Sequence, residues 1–214
     1  MKKTMKNYAM ALMLGMGFAG VNTAAHAADD VSVYADIGGF SQYIWRAAAQ
    51  GDGRASLQGD VGVEHASGVS ANIWFATGVG TDETEYDITL DYSGEAGDIG
   101  YSVGFIAFKF VKDSGLDANE FYVGASFDIA SLTAYIGDGY NYIEAGVGAT
   151  VADMFDASAA VGINSPDTGT STTHITLGAS KDFDMGSYTL SPSLTIGSVT
   201  DLDTEVALGV NASF

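Results

Sequence analysis

Between Val31 and Phe214 the chain alternates apolar and polar residues with a period of two, in twelve successive segments whose apolar frame is almost free of charge. The clearest is 86–92, where Tyr86, Ile88, Leu90 and Tyr92 interleave with Glu85, Asp87, Thr89 and Asp91. Side chains on a strand point to opposite faces in turn, so the pattern builds strands with one apolar and one polar face. The segments fall at 31–37, 57–63, 69–75, 86–92, 99–105, 121–127, 132–136, 143–151, 159–163, 175–179, 188–196 and 206–214. No long segment repeats every 3.6 residues, and past the N-terminus no apolar run reaches the length of a membrane helix.

Three features favour a membrane barrel over a soluble sandwich. The apolar frame admits one base, Lys109, at the end of its segment, as expected where a charge facing lipid at mid-depth costs about 2–4 kcal/mol. The polar frame is rich in small residues, among them Gly62, Gly104, Gly124, Gly146, Gly162, Gly178 and Ser193, which suit a curved wall around a lumen. The connections also alternate: those starting at 47–54 run to 5–8 residues and those starting at 66–68 to 3–6, the parity of a barrel with short periplasmic turns and both termini periplasmic. Pro192 falls in the apolar frame and predicts a bulge or a strand end.

The N-terminus reads as an export signal. Lys2, Lys3 and Lys6 precede an apolar run from Tyr8 to Val21 and then Ala25-His26-Ala27, a small-x-small cleavage site. That run is too short to cross a bilayer, so an uncleaved anchor is the weaker reading. Cleavage after Ala27 divides the chain into a signal peptide at 1–27 and a barrel at 28–214, and removing 27 of 214 residues leaves 187. Three of the 8 bases leave with the signal, so 5 bases face 27 acids, which excludes nucleic acid as a partner. Twelve strands take 15.6 residues each, room for a tilted strand of about 9–11 residues and a connection. Ten and fourteen strands also fit. The expected fold is all-β: a closed antiparallel transmembrane β-barrel of twelve strands, in the outer membrane of a Gram-negative bacterium.

Several stretches resemble the TorF-type porins, the proteobacterial Gly-Cys-Trp conserved outer-membrane proteins. Ser41-Gln42-Tyr43-Ile44-Trp45-Arg46 is similar to that family's Ser-x-Tyr-aromatic/aliphatic-Arg signature, and the segment 67–74, ending in Trp74, is similar to the one that ends in Gly-Cys-Trp. Asn72-Ile73 stands in place of Gly-Cys, and Ala47-Ala48-Ala49 where the family usually has Gly-Ile-Ser. The resemblance implies an outer-membrane porin. The terminal Phe214 resembles the C-terminal signal read by the barrel assembly machinery.

The polar frame holds Asp36, Asp60, Glu64, Asp87, Asp91, Glu120, Asp128 and Glu144, which with Tyr122 and Arg46 are the candidate pore-lining residues. An acidic lumen favours cations and implies passive diffusion of small ions or solutes. The same acids also suit simple hydration of a lumen, in a non-conducting structural or assembly-partner barrel. Arg46, Arg54, Lys109 and Lys112 fall near the outer strand ends, where they face the acids across a pore or meet lipopolysaccharide phosphates. With short loops and no segment long enough to fold inward, the expected constriction is by side chains such as Trp74, Tyr122 and Tyr135. An enzyme is not expected: past the signal only His65 and His174 remain, in loop-like contexts. No cofactor or metal is expected either, because the acidic clusters at Asp82, Glu83, Glu85 and at Asp201, Asp203, Glu205 lack fixed ligand spacing.

Overall fold

The computed structural model describes residues 30–214, so the export signal and its cleavage after Ala27 lie outside the described residues. The strands are β1 (Val31–Phe40), β2 (Ile44–Trp45), β3 (Ala48–Ala49), β4 (Ser56–His65), β5 (Val69–Val79), β6 (Glu83–Ala96), β7 (Ile99–Phe110), β8 (Ala118–Phe127), β9 (Ala130–Gly137), β10 (Tyr140–Val151), β11 (Phe155–Pro166), β12 (Thr172–Ser180), β13 (Phe183–Asp184), β14 (Thr189–Val199) and β15 (Glu205–Ser213). Twelve form the wall, and β2, β3 and β13 are two-residue additions. Each wall strand pairs antiparallel with the next, and β15 returns to β1 from Asp36↔Ser213 to Phe40↔Gly209, so the sheet closes on itself. Closure gives the wall no free sheet edge, and the inter-strand ladders satisfy backbone groups that lipid cannot.

The apolar frame faces outward on every side. Val33, Ile73, Val103, Val123, Leu132, Ile143, Val161 and Leu208 are between 44% and 63% exposed, while Asp87 and Glu120 of the other frame are 2% and 0% exposed. A continuous apolar band of that extent belongs in lipid. Aromatic rings collect where the band ends near the termini: Tyr92 lies 6.2 Å from Tyr101 and Tyr188 lies 5.8 Å from Phe214. Such rings suit the headgroup level.

The connections depart from the expected lengths. At the end where β1 begins and β15 finishes, the terminal end of the wall, they are 66–68, 97–98, 128–129, 152–154 and 181–188; at the opposite, loop end they are 41–55, 80–82, 111–117, 138–139, 167–171 and 200–204. The contrast is concentrated in one segment of 15 residues, 41–55, because β1 stops at Phe40. Residues 44–45 and 48–49 do form strands, but they pair with each other. The connection 181–188 also breaks the parity, since β13 adds a short rung to β14. Asp128, expected on the pore wall, is exposed in the β8–β9 turn at φ 53; two-residue turns need left-handed positions, which Asp tolerates.

Pro192 makes neither a bulge nor a strand end. It sits inside β14 opposite Val210 of β15, and its carbonyl accepts from the Lys181 amide at 3.2 Å. Nitrogen and carbonyl of one strand residue face the same neighbour. The missing N–H therefore faces the gap where β12 has ended, after Ser180↔Ser193, and β13 has not yet begun.

Candidate functional site

Residues 41–55 leave the top of β1 and turn back into the barrel. The Ser41 amide donates to the Leu208 carbonyl at 2.7 Å, and its Oγ accepts from the Leu208 amide at 2.9 Å. Gln42 Nε2 donates to the Glu205 carboxylate at 3.0 Å and to the Val206 carbonyl at 2.9 Å. β2 and β3 then form a two-rung hairpin, Ile44↔Ala49 and Trp45↔Ala48. Its turn residues, Arg46 and Ala47, have φ of 47 and 66. Two successive left-handed residues make a tight hairpin turn, at about 1–2 kcal/mol for each residue that is not glycine. Contacts outside the hairpin must offset that cost.

Arg46 provides them. Its guanidinium donates to both Glu120 oxygens, at 2.7 and 2.9 Å, in a fork-to-fork pair that is fully enclosed. The guanidinium carbon lies 4.1 Å from the Tyr142 ring centroid, 4.3 Å from Trp45 and 4.5 Å from Tyr135. The Tyr140 hydroxyl also donates to Glu120, at 2.7 Å, and the Tyr142 hydroxyl donates to Glu144 at 2.9 Å. His174 Nδ1 donates to the Arg46 carbonyl at 2.5 Å, and its Nε2 accepts from the Thr172 hydroxyl at 2.9 Å. Tyr43 packs 5.3 Å from Trp74, and Trp45 packs 5.8 Å from Phe108.

Backbone fit completes the dock. The hairpin tip lies against β14 at Gly197, where a Cβ would overlap the Ala47 backbone. At the hairpin's root, Gly51 lies so close to the Gly78 carbonyl that a side chain would collide with it, and Gly78, at φ 76, forms the register shift between Thr77 and Val79 at the rim of β5.

Below the hairpin, toward the termini, the wall is acidic on one side. Asp36 of β1 and Asp60 of β4 are register partners, and Asn72 donates to Asp60 at 3.1 Å. The Tyr122 hydroxyl donates to Asp91 at 2.5 Å. Glu64 is half-buried on the same strand as Asp60. Asp87 keeps one carboxylate oxygen, enclosed, with no protein hydrogen-bond partner. The wall opposite, β11 to β15, presents small neutral side chains such as Ala160, Gly162, Gly178 and Ala207.

Residues 24–211 match the family model described as "Bacterial protein of unknown function (Gcw_chp)". The chain belongs to the Gcw_chp family. Among solved structures it is similar to the KdgM porin, with a TM-score of 0.64 at 12% identity, covering 85% of this chain and 99% of that one. It is also similar to the KdgM porin in complex with disordered oligogalacturonate, with a TM-score of 0.61 at 10% identity and the same coverage of 85% and 99%. At such identities the likeness is one of fold, and the fold is that of an outer-membrane porin. No curated protein matches the chain.

In this Gcw_chp chain the two segments that carried the resemblance meet in space. Ser41 ties the hairpin to β15, Tyr43 packs against Trp74, and Trp45 leads into the turn at Arg46. Ala47, in place of the family's usual glycine, holds a left-handed conformation there. Arg46 is therefore not a rim residue, and the lumen is narrowed by an inward-folded segment as well as by side chains. Length decided this: the connection has 15 residues, enough to reach the far wall.

The rim bases are engaged locally. Lys112 pairs with the Asp82 carboxylate at 2.6 Å and donates to the Asp82 carbonyl, while its amide donates to both Glu83 oxygens at 3.0 and 3.1 Å. Lys109 pairs with Asp117 at 3.0 Å, and the Arg54 guanidinium donates to the Thr81 carbonyl. The two acidic loop clusters are dispersed by this arrangement: Glu85 faces the lumen and Glu205 accepts from Gln42. Hydrogen bonds from Lys112 and Lys109 hold the Asp82 and Asp117 carboxyls below their usual range. A carboxyl with a depressed folded-state pKa stabilises above its unfolded value and loses that contribution as pH falls through its folded value. Protease cleavage at 80–82 and 111–117 should thus stay constant from neutral pH down to about 4 and rise below it.

His174, Tyr140, Tyr142, Glu85 and Gly197 were not among the residues expected at the site. Their one signal was membership of the polar frame, which dozens of residues share. His65 stays in its own turn, its Nδ1 2.8 Å from the Ser67 hydroxyl.

Proposed function

We propose that this protein is an outer-membrane diffusion channel for small solutes that favours cations and is narrowed by the inward-folded hairpin. The loop end then faces the exterior and the termini the periplasm. One observation carries the reading: the lumen wall bears Asp36, Asp60, Glu64, Asp87, Asp91, Glu120 and Glu144, while Arg46, the one arginine or lysine there among the described residues, is already paired with Glu120. A low-dielectric wall concentrates that negative field on the lumen axis. The same field opposes a polyanion, so the oligogalacturonate named for one KdgM structure is not carried over to this chain. Lys109, Lys112 and Arg54 are held by their own neighbours, which leaves less charge for lipopolysaccharide phosphates. Phe214 serves as the signal for the barrel assembly machinery.

The docked hairpin itself favours a second reading, a non-conducting barrel with a structural or assembly role. Planar-bilayer recording of refolded residues 28–214 separates the two. Under a potassium chloride gradient the expected reversal potential is that of a cation-preferring pore, moving toward zero in Asp87→Asn/Asp91→Asn. Anion preference overturns the acidic-lumen reading, and an absence of discrete channels supports the structural one.

A further inference from the structure

We infer that the Glu120 cage is a binding site for the guanidinium group of a small organic solute, filled at rest by the chain's own Arg46; the inference rests on the channel reading above. Every part of the cage except its occupant and Trp45 belongs to the barrel wall: Glu120 on β8, Tyr135 on β9, Tyr140 and Tyr142 on β10. Some of the contacts that shape the cage are made between wall residues and do not involve Arg46. Tyr140 holds one Glu120 oxygen at 2.7 Å, and the Tyr135 and Tyr142 rings lie 5.9 Å apart, both with faces toward the cation.

The occupant, by contrast, comes on a separate hairpin with two left-handed residues at its tip. Withdrawing it leaves the Glu120 carboxyl without its partner, with Asp87 and Glu144 on the same wall and no lysine or second arginine there among the described residues. A cation with the same hydrogen-bonding fork restores the pair that Arg46 made. The fork of two oxygens and the ring faces of Tyr135 and Tyr142 favour a planar, weakly hydrated cation over potassium. Arg46 is tethered, so its effective concentration at the cage is at least millimolar, and a free solute competes poorly until the hairpin is loosened.

The test is a binding measurement on refolded residues 28–214 carrying Arg46→Ala, titrated in detergent with guanidinium chloride and read by the fluorescence of Trp45 and Trp74. Potassium chloride at equal ionic strength is the control. The expected result is saturable binding in the millimolar range, about tenfold weaker in Arg46→Ala/Glu120→Gln, because one charge-assisted oxygen is lost. Wild type should need far more guanidinium than Arg46→Ala. A response equal to that of potassium, or unchanged by Glu120→Gln, overturns the site. Where Arg46→Ala does not refold, Gly197→Val serves: its side chain would overlap the Ala47 backbone, and it lies on β14, away from the strands that carry Glu120, Tyr135, Tyr140 and Tyr142. Binding without any channel current supports the site while overturning the channel reading. Current without guanidinium binding does the reverse.

Discussion

Replacing Glu120 with alanine should free the hairpin and turn a constricted lumen into an open one. The pair it breaks is two charge-assisted hydrogen bonds at 2.7 and 2.9 Å. Such bonds contribute about 1.5–3 kcal/mol each when enclosed, and lumen water will offset part of the loss. A net change of about 3 kcal/mol raises the ratio of released to docked hairpin about 100-fold. The strained turn at Arg46 and Ala47 pushes the same way. The barrel itself should survive, because the β7–β8 and β8–β9 ladders use backbone groups. The expected record is a higher-conducting level that dominates in Glu120→Ala and is brief or absent in wild type, with a similar thermal unfolding midpoint. Identical conductance in the two proteins would show that the hairpin does not control the path.

A charge placed on the outer face should cost far more than one placed on the inner face. Val123 lies midway along β8, flanked by Val103 and Ala134, and is 59% exposed to what is read as lipid. Val123→Arg should destabilise the barrel by about 2–4 kcal/mol in urea unfolding from lipid vesicles. Thr89, on the polar frame of β6, lies between Asp87 and Asp91, and its hydroxyl has no protein partner. Thr89→Lys places a base among acids in a hydrated space and should cost less than about 1 kcal/mol. Equal losses would mean that the two faces of the sheet have been assigned the wrong way round.

Much of the fold is legible along the chain because its rules are local. Tyr86, Ile88, Leu90 and Tyr92 alternate with their neighbours whatever the rest of the chain does, and each wall strand pairs with the next, across turns of two or three residues in six cases. Facing therefore follows from period, and period with length favours twelve strands while ten and fourteen also fit; closure in the structure gives twelve. Asp128 shows the limit: alternation continues for one residue past β8, and a turn conformation claims it instead. Pro192 shows another, since a proline inside a strand is harmless only if the neighbour it faces has already ended.

The site was legible in composition and not in arrangement. That Asp36, Asp60, Asp87, Asp91, Glu120 and Glu144 share the polar frame can be read from spacing, as can the similarity of 41–46 to a family signature. That Arg46 spans 74 positions to grip Glu120 cannot, nor can the contact of His174 with a carbonyl 128 positions earlier. The sequence alone determined a closed sheet, its strand order and which side meets hydrocarbon, because lipid penalises each misplaced charge or open backbone group one residue at a time. Only the tertiary structure decided that the connection after β1 folds inward and what it touches. Fifteen residues without a period carry no facing rule, and their partners are chosen by the curvature that closure imposes on distant strands.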